Sequence, residues 1–299
     1  MIDKLEYLIA LARERHFGRA AEQCGVTQPT LSAGLKQLEA SLGTLLVQRG
    51  SRYRGLTPEG ERVLEWGLRI VGDARQMRQE IGVRRKGLSG HLRLAVIPTA
   101  LAMLPELTTP YRERHPNVRF TILSRTSNEI LRMIETLEAD AGLSYIDAEP
   151  LRRVRTIPLY EEHYCLLTAA GSPFSYRPSI PWSDLGDIPL CLLTDDMQNR
   201  RIIDRQLREA GTQANATLES NSMMTLIAHV RTGRWASIMP TLFAKALDLT
   251  SSVRAIPIRD PDAVHTVGLL VPEREPLPAL TAALTEYGRS LQLGLNALA

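Results

Sequence analysis

The chain has 299 residues, 44% of them hydrophobic, which fits a globular protein of two or three domains. Charged residues interrupt the first 15 positions, and no apolar run is long enough for a membrane helix, so we expect a cytoplasmic protein without a signal peptide. The net charge of +3 is uneven: residues 1–90 hold 15 basic and 10 acidic residues, the remainder 21 and 23. A basic head favours a polyanionic partner for that part of the chain.

Two helices joined by a short turn are predicted between residues 18 and 43. Leucines spaced four, three and four apart give the second helix one apolar face: Leu31, Leu35, Leu38 and Leu42. Thr27 stands at its N-cap position. Its other side is polar, which is typical of the recognition helix of a helix-turn-helix. We predict that its DNA-binding residues are Gln28, Pro29, Thr30, Ser32 and Lys36.

A basic hairpin follows directly and carries Arg49, Arg52 and Arg54. An amphipathic helical hairpin without a nucleic-acid partner is the alternative interpretation of the two helices. The three arginines favour DNA binding, because a basic wing beside a recognition helix meets phosphates. We therefore add these arginines to the predicted DNA-binding residues.

The order AA-x4-V-x-QP-x-LS-x5-LE-x2-LG, followed by R-x6-LTPEG, resembles the N-terminal domain of LysR-type transcriptional regulators. The match is dense over about the first 60 residues and loose afterwards. Gly18 stands where the family usually has a serine that caps the second helix, and Val47 where phenylalanine is common. The resemblance implies a winged helix-turn-helix over residues 1–58, a linker helix over 59–90 and an effector-binding domain over 91–299.

Thr57 and Pro58 begin the long linker helix as N-cap and first residue. Apolar and small residues then recur at alternating spacings of four and three, as in a coiled-coil seam, with Gly67 at one seam position. We predict that five of them form a dimer contact: Val63, Ile70, Ala74, Met77 and Ile81. Packing against the chain's own domains is the alternative. A two-fold dimer of LysR type implies a partially palindromic operator.

From His91 onward, apolar strands alternate with helices, which predicts open parallel sheets covered by helices. We expect a multidomain protein of α+β and α/β class, and the resemblance implies a two-lobed, periplasmic-binding-protein-like effector domain. Lobe I would comprise residues 91–161 and 266–299, and lobe II residues 162–265. The chain would cross between the lobes near residues 158–166 and 262–268.

Polar residues follow the carboxyl ends of several predicted strands, where such sheets bind ligands. Each alone is an ordinary helix cap, but together they predict a site for a small anion, such as a carboxylate, between the lobes. The predicted effector-binding residues are Thr99, Ala100, Arg125, Ser127, Tyr145, Thr194 and Ser222. Thr99 matches a pocket residue of the family, whereas Arg125 either pairs with a carboxylate or is a solvated charge.

Trp235 departs from the glycine-containing stretch that LysR-type regulators usually have at this point. Its side chain either fills the cleft, which would leave room only for a small ligand, or packs behind the strand. The stretches GRWASIMP and LLTDDMQNRR also resemble LysR-type regulators that accompany formate dehydrogenase genes.

Two other classes of function compete with a DNA-binding regulator. A solute-binding protein would use the α/β lobes alone, and the basic head argues against it. An enzyme is not expected, because no nucleotide-binding loop, nucleophile elbow or metal-ligand spacing occurs. Cys24, Cys165 and Cys191 lie in apolar surroundings and suit core packing. We therefore predict no metal and no cofactor, with DNA, a small-molecule effector and further copies of the chain as partners.

Overall fold

The computed structural model describes residues 1–48, 53–246 and 252–295. The chain folds into two compact units. The first comprises Met1–Leu88 with Glu135–Glu138, and the second comprises Ser89–Ile134 with Ala139–Ala299. None of the helices in the described ranges is long and apolar enough to span a bilayer.

The first unit is helical. Its helices are α1 (Ile2–Glu14), α2 (Phe17–Gln23), α3 (Gln28–Leu42) and α4 (Pro58–Lys86). Leu31, Leu35 and Leu38 of α3 are buried, as predicted, in a core shared with α1 and α2. Leu42 was wrongly assigned to this buried stripe, because it ends α3 and its side chain is 44% exposed.

Side chains determine where α2 and α3 begin. Thr27 caps α3 as predicted, because its hydroxyl accepts a hydrogen bond from the N–H of Thr30. At α2, Nδ1 of His16 accepts from the N–H groups of Gly18 and Arg19 at 3.1 and 3.3 Å. The histidine thus caps this helix in place of the family's serine, and Gly18 lies inside its first turn.

The basic hairpin is held at its base by a carboxylate of α3. Oε1 of Glu39 accepts hydrogen bonds from the N–H groups of Leu46 (2.9 Å) and Val47 (3.2 Å). Val47 forms an antiparallel bridge with Leu56 on the returning strand. The wing is therefore positioned relative to α3 by a charge-assisted pair of backbone contacts.

The start of α4 is fixed against the same strand. The hydroxyl of Thr57 accepts from the N–H of Gly60 at 2.9 Å and donates to the carbonyl of Leu45 at 2.6 Å. Thr57 is thus the predicted cap, and Pro58 is the first residue of the helix. A Cβ on Gly60 would lie 2.0 Å from the carbonyl oxygen of Leu46, so only glycine fits here.

One side of α4 packs against α1 within the first unit. Val71 is buried there, and a Cβ on Gly67 would lie 3.4 Å from Cδ2 of Leu5. The placement of Gly67 on the dimer seam was therefore wrong, because it faces α1. The period of three and four reflects two neighbouring stripes on one helix.

The second unit contains eleven strands within the described ranges. They are β1 (Ser89–Val96), β2 (Asn117–Ser124), β3 (Ala141–Tyr145), β4 (Val154–Glu162), β5 (Tyr164–Ala169), β6 (Ile180–Pro181), β7 (Leu190–Leu193), β8 (Ala216–Ser220), β9 (Ser237–Pro240), β10 (Val253–Arg259) and β11 (His265–Pro272). Its described helices are α5 (Leu104–Arg114), α6 (Ser127–Glu135), α7 (Gln198–Glu209), α8 (Met223–Val230), α9 (Thr241–Ala246) and α10 (Ala279–Leu295). A 3-10 turn over Pro98–Met103 precedes α5.

The strands form two lobes, and the five-stranded and four-stranded sheets are mixed. One sheet has the order β2-β1-β3-β11-β4, and the others have the orders β6-β10-β5-β9 and β7-β8. The expectation of purely parallel sheets was wrong, because β11 returns from the second lobe and runs antiparallel to both β3 and β4. The chain crosses between the lobes at His163, between β4 and β5, and between β10 and β11.

We predict that Gly60→Ala destabilises the first unit by about 1–3 kcal/mol, the usual cost of forcing extra volume into a packed site. The added methyl group would press on a backbone carbonyl that also closes the wing. Urea unfolding followed by circular dichroism measures the change. Gly171→Ala is the matched control, because a Cβ there meets no atom within 4 Å. Equal unfolding midpoints for the two variants would contradict this role.

Candidate nucleic-acid interface and ligand cleft

The polar side of α3 is open to solvent in the first unit. Gln28, Pro29, Thr30 and Lys36 are exposed, and Ser32 is half-buried. Together with the base of the wing this side forms a groove, whose lining includes Gln28, Ser32, Lys36, Glu39 and Val47. Three of the α3 side chains predicted to bind DNA, Gln28, Ser32 and Lys36, therefore line one groove.

Two predicted DNA contacts need closer description. The hydroxyl of Thr30 lies 2.9 Å from that of Thr27, so it supports the helix cap as well as facing outward. Arg54 is exposed at the returning strand of the wing. Arg49 and Arg52 lie outside the described residues, so their assignment as DNA contacts stays a prediction.

A second stripe of α4 is apolar and exposed. Its side chains are exposed by 41 to 60%: Trp66, Ile70, Met77 and Ile81. Val63 and Ala74, also predicted here, are half-buried. Trp66 was missed, since Gly67 fitted the assumed spacing. The guanidinium of Arg69 lies 5.2 Å from the centre of the Trp66 ring, so this ring carries a cation on one face.

In the second unit, the hydroxyl of Tyr145 is the centre of a buried polar cluster. It donates a short hydrogen bond to Oε1 of Glu162 and accepts one from Nδ2 of Asn199 at 2.9 Å. Oγ1 of Thr99 lies 3.4 Å from it. These four residues come from the 3-10 turn, β3, the end of β4 and the start of α7, so the cluster joins the two lobes.

Glu162 is the buried carboxyl of this cluster, with 1% of its surface exposed. Burial raises its pKa from 4.5 to about 8, the hydrogen bond from Tyr145 works against this, and the nearby carboxylate of Asp147 adds to it. The neutral acid is therefore the favoured form at neutral pH. Burial likewise raises the pKa of Tyr145 well above its usual value, so its hydroxyl stays protonated.

Two further contacts join the lobes beside this cluster. The hydroxyl of Ser144 donates to Oε1 of Gln198 at 3.4 Å, and both residues are buried. The guanidinium of Arg201 on α7 forms a two-pronged ion pair with Glu149 of the first lobe, at 2.8 and 3.1 Å. The lobes are thus held together by buried hydrogen bonds and a more exposed ion pair.

The structure brings only part of the predicted effector set into this cluster. Thr99 and Tyr145 belong to it, and Ala100 is buried next to Thr99. The N–H of Ala100 donates to the carbonyl of Ile97, so it is not available to a ligand. Arg125 is turned away, since its guanidinium donates to the carbonyl of Ser124 at 2.7 Å.

The remaining predicted residues lie at helix starts or strand ends. Ser222 caps α8 by accepting from the N–H of Thr225. The hydroxyls of Ser127 and Thr194 are buried without a hydrogen-bond partner, so they keep bonding capacity. None of these three residues hydrogen-bonds to the Tyr145 cluster.

Glu162, Asn199 and Gln198 were missed in the sequence. The available signal was the alternation Tyr160, Glu162, Tyr164 at the predicted lobe crossing, which puts these three side chains on one face of an extended chain. All three are buried, whereas Glu161 between them is exposed.

Trp235 takes the second of its two predicted positions. Its Nε1 donates to the hydroxyl of Thr217 on β8 at 2.9 Å, and its ring packs edge-on against His229 of α8. It packs on the second lobe's own elements, so it gives no reason to expect a small ligand.

The three cysteines are all described, and burial raises the pKa of each thiol. The pKa of Cys165 is raised to about 12 and that of Cys191 to about 11, while Cys24 is shifted in the same direction. Cys165 and Cys191 lie in the core of the second lobe. The thiolate, which is the reactive form, is disfavoured at all three positions.

Two family models match the chain. Residues 2–61 match the bacterial regulatory helix-turn-helix protein of the lysR family, and residues 85–291 match the LysR substrate binding domain. Together they account for both units.

Curated relatives and solved structures extend over nearly the whole chain. The DNA-binding transcriptional dual regulator OxyR of Escherichia coli K12 is 27% identical over 97% of this chain and 95% of its own. A probable hydrogen peroxide-inducible genes activator of Mycobacterium avium is 31% identical over 79% and 76%. A full-length OxyR variant of Pseudomonas aeruginosa superposes with a TM-score of 0.77 at 28% identity, covering 97% and 94%.

We predict that the stability of the second unit falls as pH rises from about 4.5 to about 8, because the folded protein holds a proton on Glu162 that the unfolded chain releases. Each pKa unit corresponds to about 1.4 kcal/mol. Glu162→Gln keeps the shape and removes the titration, so its melting temperature should exceed that of the wild type at pH 8 and match it near pH 5.

The control is Glu161→Gln, on the exposed face of the same strand. It should melt like the wild type at every pH. If the wild type instead melted at a higher temperature than Glu162→Gln at pH 8, the folded protein would favour the ionised carboxylate.

Proposed function

Because the chain belongs to the LysR family of DNA-binding transcriptional regulators, we propose that it binds operator DNA through α3 and the wing, and that a ligand held between the lobes controls it. The observation that carries the DNA contact is the groove of the first unit. Gln28 and Lys36 in the groove are solvent-exposed, whereas Leu31, Leu35 and Leu38 on the apolar side of the same helix are buried.

We assign base contacts to the groove side of α3, with Gln28, Ser32 and Lys36 facing the major groove. Side chains of this kind read donor and acceptor patterns on base edges. Pro29 and Thr30, near the start of the helix, would lie beside the DNA backbone. Arg54, with Arg49 and Arg52 of the same hairpin, would contact phosphates. This division predicts sequence preference from α3 and salt-dependent affinity from the wing.

We assign the exposed apolar stripe of α4 to a contact with the same helix of a second copy. Four large or medium apolar side chains on one face of a long helix are unfavourable in water. A two-fold pair of these helices buries them and places two recognition helices on one side of the DNA. The operator should then be a partial palindrome.

The ligand site that we propose is the cluster around Tyr145 and Thr99, where both lobes and the crossing strand contribute polar atoms. A ligand that binds there changes the balance between lobe arrangements only if it binds one arrangement better than the other. The expected small carboxylate stays a prediction.

Several relatives are peroxide-inducible activators, but we propose reversible ligand binding rather than thiol oxidation for this chain. Oxidation by peroxide begins with an accessible thiolate. The cysteines here are two core thiols and one half-buried thiol, each with a raised pKa. The resemblance of two short stretches to regulators beside formate dehydrogenase genes remains a proposal about target genes, to be tested by mapping the operator.

We predict that Gln28→Ala changes operator preference, with a loss of about 1–3 kcal/mol for the preferred sequence if the amide reads a base edge. Gel-shift titrations with the upstream intergenic DNA and with unrelated DNA measure both affinities. Gln37→Ala is the matched control, because Gln37 is an exposed glutamine of the same helix that does not line the groove. Absence of operator binding by the wild type would overturn the proposed function and favour a solute-binding protein.

We predict that the double variant Ile70→Glu, Met77→Glu loses the dimer. Pairing would bury unpaired charges, at about 3–5 kcal/mol for each disrupted position. Sedimentation velocity and operator cooperativity are the measurements. Met224→Glu introduces the same charge at an exposed methionine of α8 and should leave assembly unchanged. A dimeric double variant would place the contact between copies on another surface.

A further inference from the structure

Where the chain crosses between the lobes, from the end of β4 to the start of β5, three polar side chains at alternate positions are buried. Tyr160, Glu162 and Tyr164 are exposed by 6, 1 and 2%. Tyr160 and Tyr145 lie on the same face of the sheet, because both are in register with Val267 of β11. The hydroxyls of Tyr160 and Tyr164 both lie within the electrostatic range of the Glu162 carboxyl.

Three atoms of this face have no hydrogen-bond partner: Oε2 of Glu162 and the hydroxyls of Tyr160 and Tyr164. The hydroxyl of Tyr164 lies near that of Tyr145 without the geometry of a hydrogen bond. Folded proteins leave few buried polar atoms unpaired. Three of them beside the cluster that joins the lobes indicate that a partner arrives from outside the chain.

The charges around this face are negative. Asp147 lies close enough to raise the pKa of Glu162, and His265 is engaged with Asp147 at 3.3 Å. No arginine or lysine of the described ranges forms an ion pair or hydrogen bond with Glu162. The Tyr145 hydroxyl, the donor an anion would need, already donates to Glu162. Among the described residues, the carboxyl of Glu162 therefore has no basic partner.

We propose that the cleft between the lobes takes a ligand with a primary ammonium group, held by Oε2 of Glu162 and the hydroxyls of Tyr160 and Tyr164. An ammonium group has three N–H donors, and the carboxylate oxygen of Glu162 and the two tyrosine hydroxyl oxygens can each accept one of them. Its charge is complementary to the carboxylate, and its donors satisfy atoms that the chain leaves unpaired. This inference rests on the proposed effector site and specifies the chemistry of its ligand.

The ammonium group belongs either to a simple amine or to an amino acid, and two probes distinguish these sources. Putrescine carries ammonium groups only, and L-alanine adds a carboxylate. Succinate is the matched anion, because it has the same four-carbon length as putrescine with opposite charges. Isothermal titration of the full-length protein with each probe gives the affinities, and gel shifts with operator DNA give the response.

We expect putrescine or L-alanine to bind the wild type and succinate not to bind. Glu162→Gln should weaken the amine at least roughly tenfold, because it removes a charge-assisted hydrogen bond. Glu161→Gln should bind like the wild type, since that side chain is exposed on the opposite face. Tyr164→Phe, which keeps the ring and removes one acceptor, should weaken binding less than Glu162→Gln.

Proton release supplies a readout that a purely structural role would not change. Below pH 8 the free Glu162 carboxyl is largely protonated, so an ammonium that favours the carboxylate expels a proton and binds more tightly as pH rises. Titrations in two buffers of different ionisation heat count this proton. The other titratable groups near this face are Tyr145, Asp147 and His265. Glu162→Gln should abolish the release.

The ammonium site would be overturned if the wild type bound succinate but neither putrescine nor L-alanine. It would also be overturned if Glu162→Gln and the wild type bound the amine with equal affinity. Failure of both amines to bind the wild type would also overturn it. In each of these cases operator binding by the wild type keeps the proposed function intact. Melting curves of all variants identify any that fail to fold, and Tyr164→Phe then carries the test in place of Glu162→Gln.

Discussion

The hydrogen bond from Tyr145 to Glu162 is the contact on which the ligand-binding half depends. Tyr145 ends a strand of the first lobe, and Glu162 ends the strand that leads into the second. Asn199, at the start of a second-lobe helix, donates to the same tyrosine hydroxyl. A carboxyl so deeply buried is tolerated because it is bonded and holds its proton. Any movement of the lobes must break or replace these bonds, so a ligand that does so is coupled to lobe position.

In the DNA-binding half, by contrast, polar side chains hydrogen-bond to the chain's own backbone. Glu39 hydrogen-bonds to the backbone at the base of the wing, and Thr57 hydrogen-bonds to the backbone at the start of the linker helix. The rigid scaffold that results presents Gln28 and Lys36 to solvent. The groove side chains thus stand on a hydrogen-bonded framework, whereas the second unit keeps buried polar atoms without a hydrogen-bond partner.

Local signals in the sequence predicted the first unit closely. The leucine stripe and the Thr27 and Thr57 caps depend on residues a few positions apart, so they can be recognised without knowledge of the tertiary fold. His16 was missed as a cap because histidine is uncommon in that role. Gly67 was assigned to the dimer contact in place of Trp66 because α4 carries two apolar stripes. Spacing alone does not say which stripe faces α1.

The cleft was harder to predict because its residues meet through strand order. Thr99 and Tyr145 follow the carboxyl ends of parallel strands, which a sequence pattern can identify. Glu162 lies beside them only because β11 returns antiparallel between β3 and β4, an arrangement that alternating strands and helices do not specify. Two positions were open for Trp235 for the same reason, since its partner Thr217 lies on β8, which pairs in parallel with β7 in a separate sheet.

The late insertion of β11 also determines the order in which the chain can reach its final form. Within the first sheet, β3 gains its second neighbour only when residues 265–272 have been made. The residues of the first unit therefore emerge from the ribosome before the sheet of the second unit can be completed. Such long-range pairing slows folding and leaves an unpaired strand edge exposed meanwhile.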